Sequence, residues 1–230
     1  FQAEDGIRDF CLSRGLGDVY KRQMQDSLRY TLTVNAPESK DNDFTWKDFQ
    51  LRNNSELVAI FGNFVNRTLV LTHKYYDGIL PNQVDEKSEY YDILKKVYKY
   101  PESISKSLDN FKFRESVNTL IDLARLGNKF LADTEPWKLI KIEAHKRKVE
   151  EIMFISIQIC GMLAILSEPF VPFASEKLKS ILNLRVKKWT ELNISSNIID
   201  SKKLINKPEL IFRKIEDEEI ERELNKLNNT

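Results

Sequence analysis

The chain has 230 residues, 36 basic against 35 acidic, for a formal net charge of +1. That balance excludes a protein that coats nucleic acid by bulk charge, so any RNA contact must come from a local patch. Apolar residues make up 41% and charged residues 31%, the composition of a folded domain with a substantial core. Two cysteines, Cys11 and Cys160, give no disulfide framework and no metal-ligand spacing, which points to a reducing compartment such as the cytoplasm. The longest strongly apolar run, Ile152 to Leu166, holds Ser156 and Gln158 and falls short of the roughly 20 residues that span a bilayer. No signal peptide is recognisable, so no membrane partner is expected.

Residues 1–23 (FQAEDGIRDFCLSRGLGDVYKRQ) have no helical or strand period and hold Gly6, Gly15 and Gly17. They resemble a translated cloning or sequencing adapter and are set aside from the fold. Residues 24–43 read as a short helix, Met24 to Asn35, with Leu28 and Leu32 four apart, followed by a loop in which Pro37, Ser39, Asn42 and Asp43 supply turn chemistry. Residues 44–182 read as a helical domain. Thr45 followed by Asp48 forms a capping-box-like start, and a long helix runs from about Trp46 to about His73, ended by Asp77-Gly78 and Pro81. Its stripe is Leu57, Ile60, Phe61, Phe64, Val65, Thr68, Leu69 and Leu71.

A second helix is predicted from about Asp85 to about Tyr100, interrupted or restarted by Pro101 and continuing over Glu102 to Leu108. A third carries Phe113, Val117, Leu120, Ile121, Ala124 and Leu131, to about Ala132, with Gly127-Asn128 marking close packing or an RNA-facing gap. Thr134 to Lys138 is a break in which Pro136 can begin a helix but not continue one. A fourth helix covers about Glu143 to Ser167, and a fifth Ala174 to Leu182 after Pro169 and Pro172. Over residues 183–230, Val186 to Leu192 and Glu209 to Ile215 read as short or extended, and Glu216 to Thr230 as helical or frayed. The expectation is an all-α antiparallel bundle of about five helices with short irregular or extended C-terminal segments.

Asn63 and Arg67 lie four apart, on one strip of the long helix. An amide beside a guanidinium makes a hydrogen-bonding edge suited to a nucleobase. Trp137, following Pro136 at a helix break, offers an indole for stacking. Trp46, behind a cap, and Cys160, in an apolar run, read as core. His73 and His145 read as surface or capping residues, with no partners for a metal or a triad. Lys138, Lys141, Lys146, Arg147 and Lys148 form either a solvated face or a phosphate-contacting cluster.

Several blocks, in order, resemble the C-terminal part of the methionyl-tRNA synthetase family of class I aminoacyl-tRNA synthetases. They are Asp26-Ser27-Leu28-Arg29-Tyr30, residues 43–49 (DFTWKDF), Asn54-Ser55-Glu56-Leu57, residues 62–67 (GNFVNR), Glu135-Pro136-Trp137-Lys138, the proline-rich block 166–178, and residues 208–217 (PELIFRKIED). The resemblance implies a domain that binds the CAU anticodon of methionine tRNA. It assigns base hydrogen bonding to Asn63 and Arg67 and base stacking to Trp137, with Pro136 fixing the approach of the ring. It implies that residues 183–230 pack back toward a catalytic domain that is missing here, and that the parent ligase uses ATP with Mg. The His-Ile-Gly-His-like and Lys-Met-Ser-Lys-Ser-like elements do not occur, nor does a glycine-rich phosphate loop. The stretch is therefore expected to bind the anticodon loop, to need no cofactor of its own, to bind no DNA and to be inactive alone. The open alternatives are the anticodon bundle of another class I synthetase (cysteine, valine or isoleucine) and a helical interaction module without RNA.

Overall fold

The computed structural model describes residues 18–38, 41–185, 189–192 and 197–228. The fold is all-α, with no strand among the described residues. The first described helix, α1 (Asp18–Val34), begins earlier than the predicted Met24 and takes in the end of the stretch read as aperiodic; residues 1–17 lie outside the described residues. Leu32, four residues from the buried Leu28, is nonetheless exposed, because α1 is gripped from two other sides. Met24 and Leu28 face a small cluster with Trp46, Phe49, Ile215 and Ile220, whereas Tyr30 and Val34 face the main core.

Thr45 caps α2 (Trp46–Arg52), its hydroxyl accepting the Asp48 N–H at 3.1 Å. Trp46 is core as expected, edge-on to Phe44 and Phe49 with ring centroids 5.3 and 5.8 Å away. The helical path from Trp46 is continuous but not uniformly α. It passes through a π-helical segment (Asn53–Gly62) into α3 (Asn63–Tyr76). It ends as the sequence predicts. Asp77 takes a left-handed conformation (φ 51°), its N–H bonds the His73 carbonyl at 3.0 Å, and Gly78 follows at φ 79°.

The second predicted helix is shorter than its pattern. Residues 85–90 form turns, in which the Asp85 carboxylate accepts the Lys87 N–H at 2.8 Å, and only α4 (Tyr91–Val97) is helical. An aspartate that bonds its own downstream backbone competes with the helix ladder. The chain restarts as α5 (Tyr100–Asp109) with Pro101 in its first turn. α6 (Phe113–Thr134), the short α7 (Pro136–Leu139), a 3₁₀ turn (Glu143–His145), α8 (Lys146–Leu166) and α9 (Pro172–Ile181) follow. Of the C-terminal segments, 186–188 lie outside the described residues and Trp189–Glu191 is a 3₁₀ turn. Residues 209–215 run without regular structure, and α10 (Asp217–Asn228) closes the chain.

α8 is the axis of the bundle. Every residue from Ile152 to Leu166 is buried, so the helix is apolar all round and shows no single stripe. Glu143–Leu166 is long and apolar enough to cross a membrane, beyond the shorter run counted from sequence, but 89% of its most apolar window lies inside the bundle; it is a core helix. The two polar residues of its buried run, Ile152 to Leu166, are satisfied: Ser156 donates to the Ile152 carbonyl, and the Gln158 amide pairs with the backbone of Ile198 and Ile199 at 2.7–3.2 Å. Cys160 is fully buried, and burial pushes its thiol well above the usual range.

Candidate nucleic-acid interface

Asn63 and Arg67 open α3 on its outer side, Asn63 exposed and Arg67 half-buried. Their neighbours Phe64, Val65 and Thr68 point into the core. Trp137 arrives from a different part of the chain, and its position follows from Pro136. A residue before proline is disfavoured in the right-handed helical region. Glu135 leaves it for a left-handed conformation (φ 43°, ψ 56°), the usual way a helix is capped at its C-terminal end, and its N–H closes α6 on the Leu131 carbonyl at 3.0 Å. Pro136, buried, then starts α7 and sets the indole one residue later. Trp137 is half-buried, one side of it packed on the main core.

These elements bring the expected residues together. The guanidinium carbon of Arg67 lies over the Trp137 ring, 4.9 Å from its centroid, within cation–π range. One helical turn away, the Asn63 amide nitrogen donates to the Asn128 side-chain oxygen at 3.1 Å. Asn128 in turn donates to the backbone carbonyls of Ile60 (2.8 Å) and Ala124 (3.2 Å). Those carbonyls only accept, which fixes the Asn128 amide with its oxygen toward Asn63. Asn63 is thereby oriented too, with its carbonyl oxygen and second amide N–H not used in this bond.

Asn128 is the residue that sequence reasoning did not place in the site. Its neighbour Gly127 resolves the earlier choice in favour of packing. A Cβ there would stand 2.5 Å from the Phe64 ring, which packs directly against α6 at this glycine. That close approach of α3 to α6 is what lets two short asparagine side chains meet.

The basic cluster is mostly neutralised. Lys138 pairs with Glu135 (2.8 Å), Lys146 with Glu143 (2.6 Å), Arg147 with Glu151 (3.5 Å) and Lys148 with Glu89 (2.8 Å). His145 is half-buried in the 3₁₀ turn, and the His73 ring bonds the Asn206 carbonyl at 2.9 Å. The sequence has no glycine-rich phosphate loop, and among the described residues no group of three or more His, Cys, Asp or Glu could hold a metal.

The sequence model described as the anticodon binding domain of methionyl tRNA ligase matches residues 80–229, and that of tRNA synthetases class I (M) matches residues 15–69. Asn63 and Arg67 thus fall in one match and Trp137 in the other. The methionine–tRNA ligase of Christiangramia forsetii is 50% identical over 217 residues, covering 90% of this chain and 30% of that protein. That of Phocaeicola vulgatus is 52% identical over 204 residues, covering 88% and 29%. The chain therefore spans about 30% of the length of these relatives. In fold it is similar to the free methionyl-tRNA synthetase of Mycobacterium tuberculosis, with a TM-score of 0.75 at 19% identity over 83% of this chain and 39% of that one. The same synthetase with methionyl-adenylate gives 0.74 at 20% identity, over 81% and 37%. By sequence over most of its length, this chain belongs to the methionyl-tRNA ligase family and carries its anticodon-binding domain.

Proposed function

We propose that this chain reads the CAU anticodon of methionine tRNA through Asn63, Arg67 and Trp137, with Pro136 positioning the indole. The observation that supports this best is the Arg67 guanidinium over the Trp137 ring at 4.9 Å, one turn from the oriented Asn63 amide. An anticodon is a single-stranded loop whose bases splay out to be stacked and hydrogen-bonded at their edges. Stacking on an indole contributes ~1–3 kcal/mol per base, more than the ~0.5–1 kcal/mol of an exposed cation–π pair. A base therefore displaces the guanidinium from the ring. Arg67, released beside the base, donates to the O2 and N3 acceptors of cytosine, while Asn63 offers one donor and one acceptor.

The longer protein of which this is a part would activate methionine with ATP and Mg and transfer it to the tRNA 3′ end, in the cytoplasm. This stretch supplies recognition and no catalytic group. The test is binding of the 230-residue chain to a CAU stem-loop and to one with the first anticodon base changed. The CAU loop is expected to bind at least about tenfold more tightly, with Arg67→Ala and Trp137→Ala each losing about tenfold or more, in line with ~1–3 kcal/mol per contact. Affinity falls as salt rises, through phosphate contacts. Equal binding of both loops, or no loss in either variant, would refute the reading.

A further inference from the structure

The π-helical segment immediately before Asn63 is held from outside itself, by residues distant in the chain. In a π register each N–H reaches the carbonyl five residues back, and such segments are rare and short. Here the register lasts from Asn53 to Gly62, and at its end the Asn63 N–H bonds the Val58 carbonyl, five residues back, as well as that of Ile60. Returning the segment to an α register would shift everything beyond it by a residue's angular step, on the order of 100°. That rotation would carry Arg67 off the Trp137 ring and Asn63 away from Asn128.

The segment 211–215 lies along this stretch from one end to the other. At the start, the Asn54 side-chain amide forms a reciprocal pair with the backbone of Ile215. Its nitrogen donates to the Ile215 carbonyl and its oxygen accepts the Ile215 N–H, both at 2.9 Å. Asn53, nearly fully buried, donates to the Arg213 carbonyl at 2.9 Å and accepts from Ser27 of α1 at 2.7 Å. At the end, the Phe212 ring stands edge-on to Phe61 at 5.4 Å and lies against Gly62. Asn128 holds the Ile60 carbonyl from the other side.

We infer that Asn54 is a positioning residue for RNA recognition: paired with the backbone of Ile215, it locks the Asn53–Gly62 segment in its π register and so sets the azimuth of Asn63 and Arg67 toward Trp137. This rests on the base-reading role proposed above and adds that the C-terminal segment, remote in sequence, sets the register of the reading helix.

The test uses the whole chain with Asn54→Leu, which removes both bonds, and the milder Asn54→Asp, which keeps the acceptor for the Ile215 N–H but loses the donor. Through-hydrogen-bond NMR couplings report which carbonyl the Asn63 N–H bonds. Wild type should couple to Val58, and the variants should shift toward Ala59, the α partner. CAU stem-loop affinity should drop at least about tenfold in Asn54→Leu, with the preference for the first base lost. Ile181→Ala, a core truncation in α9, serves as a control that lowers the unfolding midpoint yet keeps both the Val58 coupling and the base preference. If Asn54→Leu does not fold, Asn54→Asp decides by the same couplings. Persistence of the Val58 coupling in a folded variant overturns the inference, as does loss of base preference in the control. If wild type shows no base preference but the coupling shifts in the variants, the register lock stands and the base-reading role falls.

Discussion

Gly127→Ala probes the closest helix contact beneath the site. A Cβ at this position would lie 2.5 Å from Cε2 and Cζ of Phe64 and 2.8 Å from Cδ2, against ordinary carbon contacts of about 3.5–4.0 Å. The ring would have to retreat by about 1 Å, yet Phe64 is fully buried between α3 and α6 and a close-packed interior has no room to receive it. Overpacking costs ~1–3 kcal/mol, here toward the upper end, while replacing a mid-helix glycine by alanine contributes ~1 kcal/mol the other way. The net expectation is a loss of about 2 kcal/mol in urea unfolding followed by circular dichroism. Trimming the ring in Phe64→Leu should relieve the clash, so a double-mutant cycle of the two should show a favourable coupling of at least about 1 kcal/mol. Because Asn63 precedes Phe64 and Asn128 follows Gly127, Gly127→Ala should also weaken CAU stem-loop binding. An unchanged or raised stability, or a coupling near zero, would refute the packing argument.

Three further outcomes are expected. Asp26 accepts the N–H groups of Phe173 and Ala174 at the start of α9, but burial outweighs those bonds and the nearby Arg29 and raises its pKa to about 6. A folded-state pKa above the unfolded value means this carboxyl favours the fold below about pH 4 and loses that contribution as pH rises through about 6. Relative to wild type, Asp26→Asn should therefore gain on the order of 2 kcal/mol between pH 4 and pH 7; parallel stability–pH curves would contradict this. Thr45→Ala removes the hydroxyl that caps α2 and should cost ~1 kcal/mol, read by the same unfolding assay. Asn128→Leu leaves Asn63 unoriented and the Ile60 carbonyl without its side-chain donor, so it should weaken CAU binding several-fold through loss of discrimination, which titration with the changed loop would detect.

Periodicity and local chemistry alone delimited most of the fold. Thr45 and Asp77-Gly78 bound the long helix where capping and left-handed turn preferences place them, and the stripe from Val117 to Leu131 lies on the buried face of α6, while Phe113, predicted with it, is exposed at the first turn. Pro136 breaks the chain before Trp137 because it has no N–H to continue α6 and is suited to the first turn of the next helix. Local patterns failed where two elements competed for one segment. Leu32 is exposed because α1 buries two other sides, and residues 85–90 turn because Asp85 captures its own backbone.

The candidate site divides along the same line. The residue types and their spacing on one helix, Asn63 with Arg67, follow from the sequence by itself, since four residues make one turn. The approach of Trp137, the entry of Asn128 and the π register that aims the helix were decided only by tertiary structure. They depend on partners distant in the chain: Phe64 against Gly127, Asn128 on Ile60, Asn54 on Ile215. Hydrogen bonds and packing contacts of that kind are satisfied only once the helices have assembled, so no window of sequence contains them.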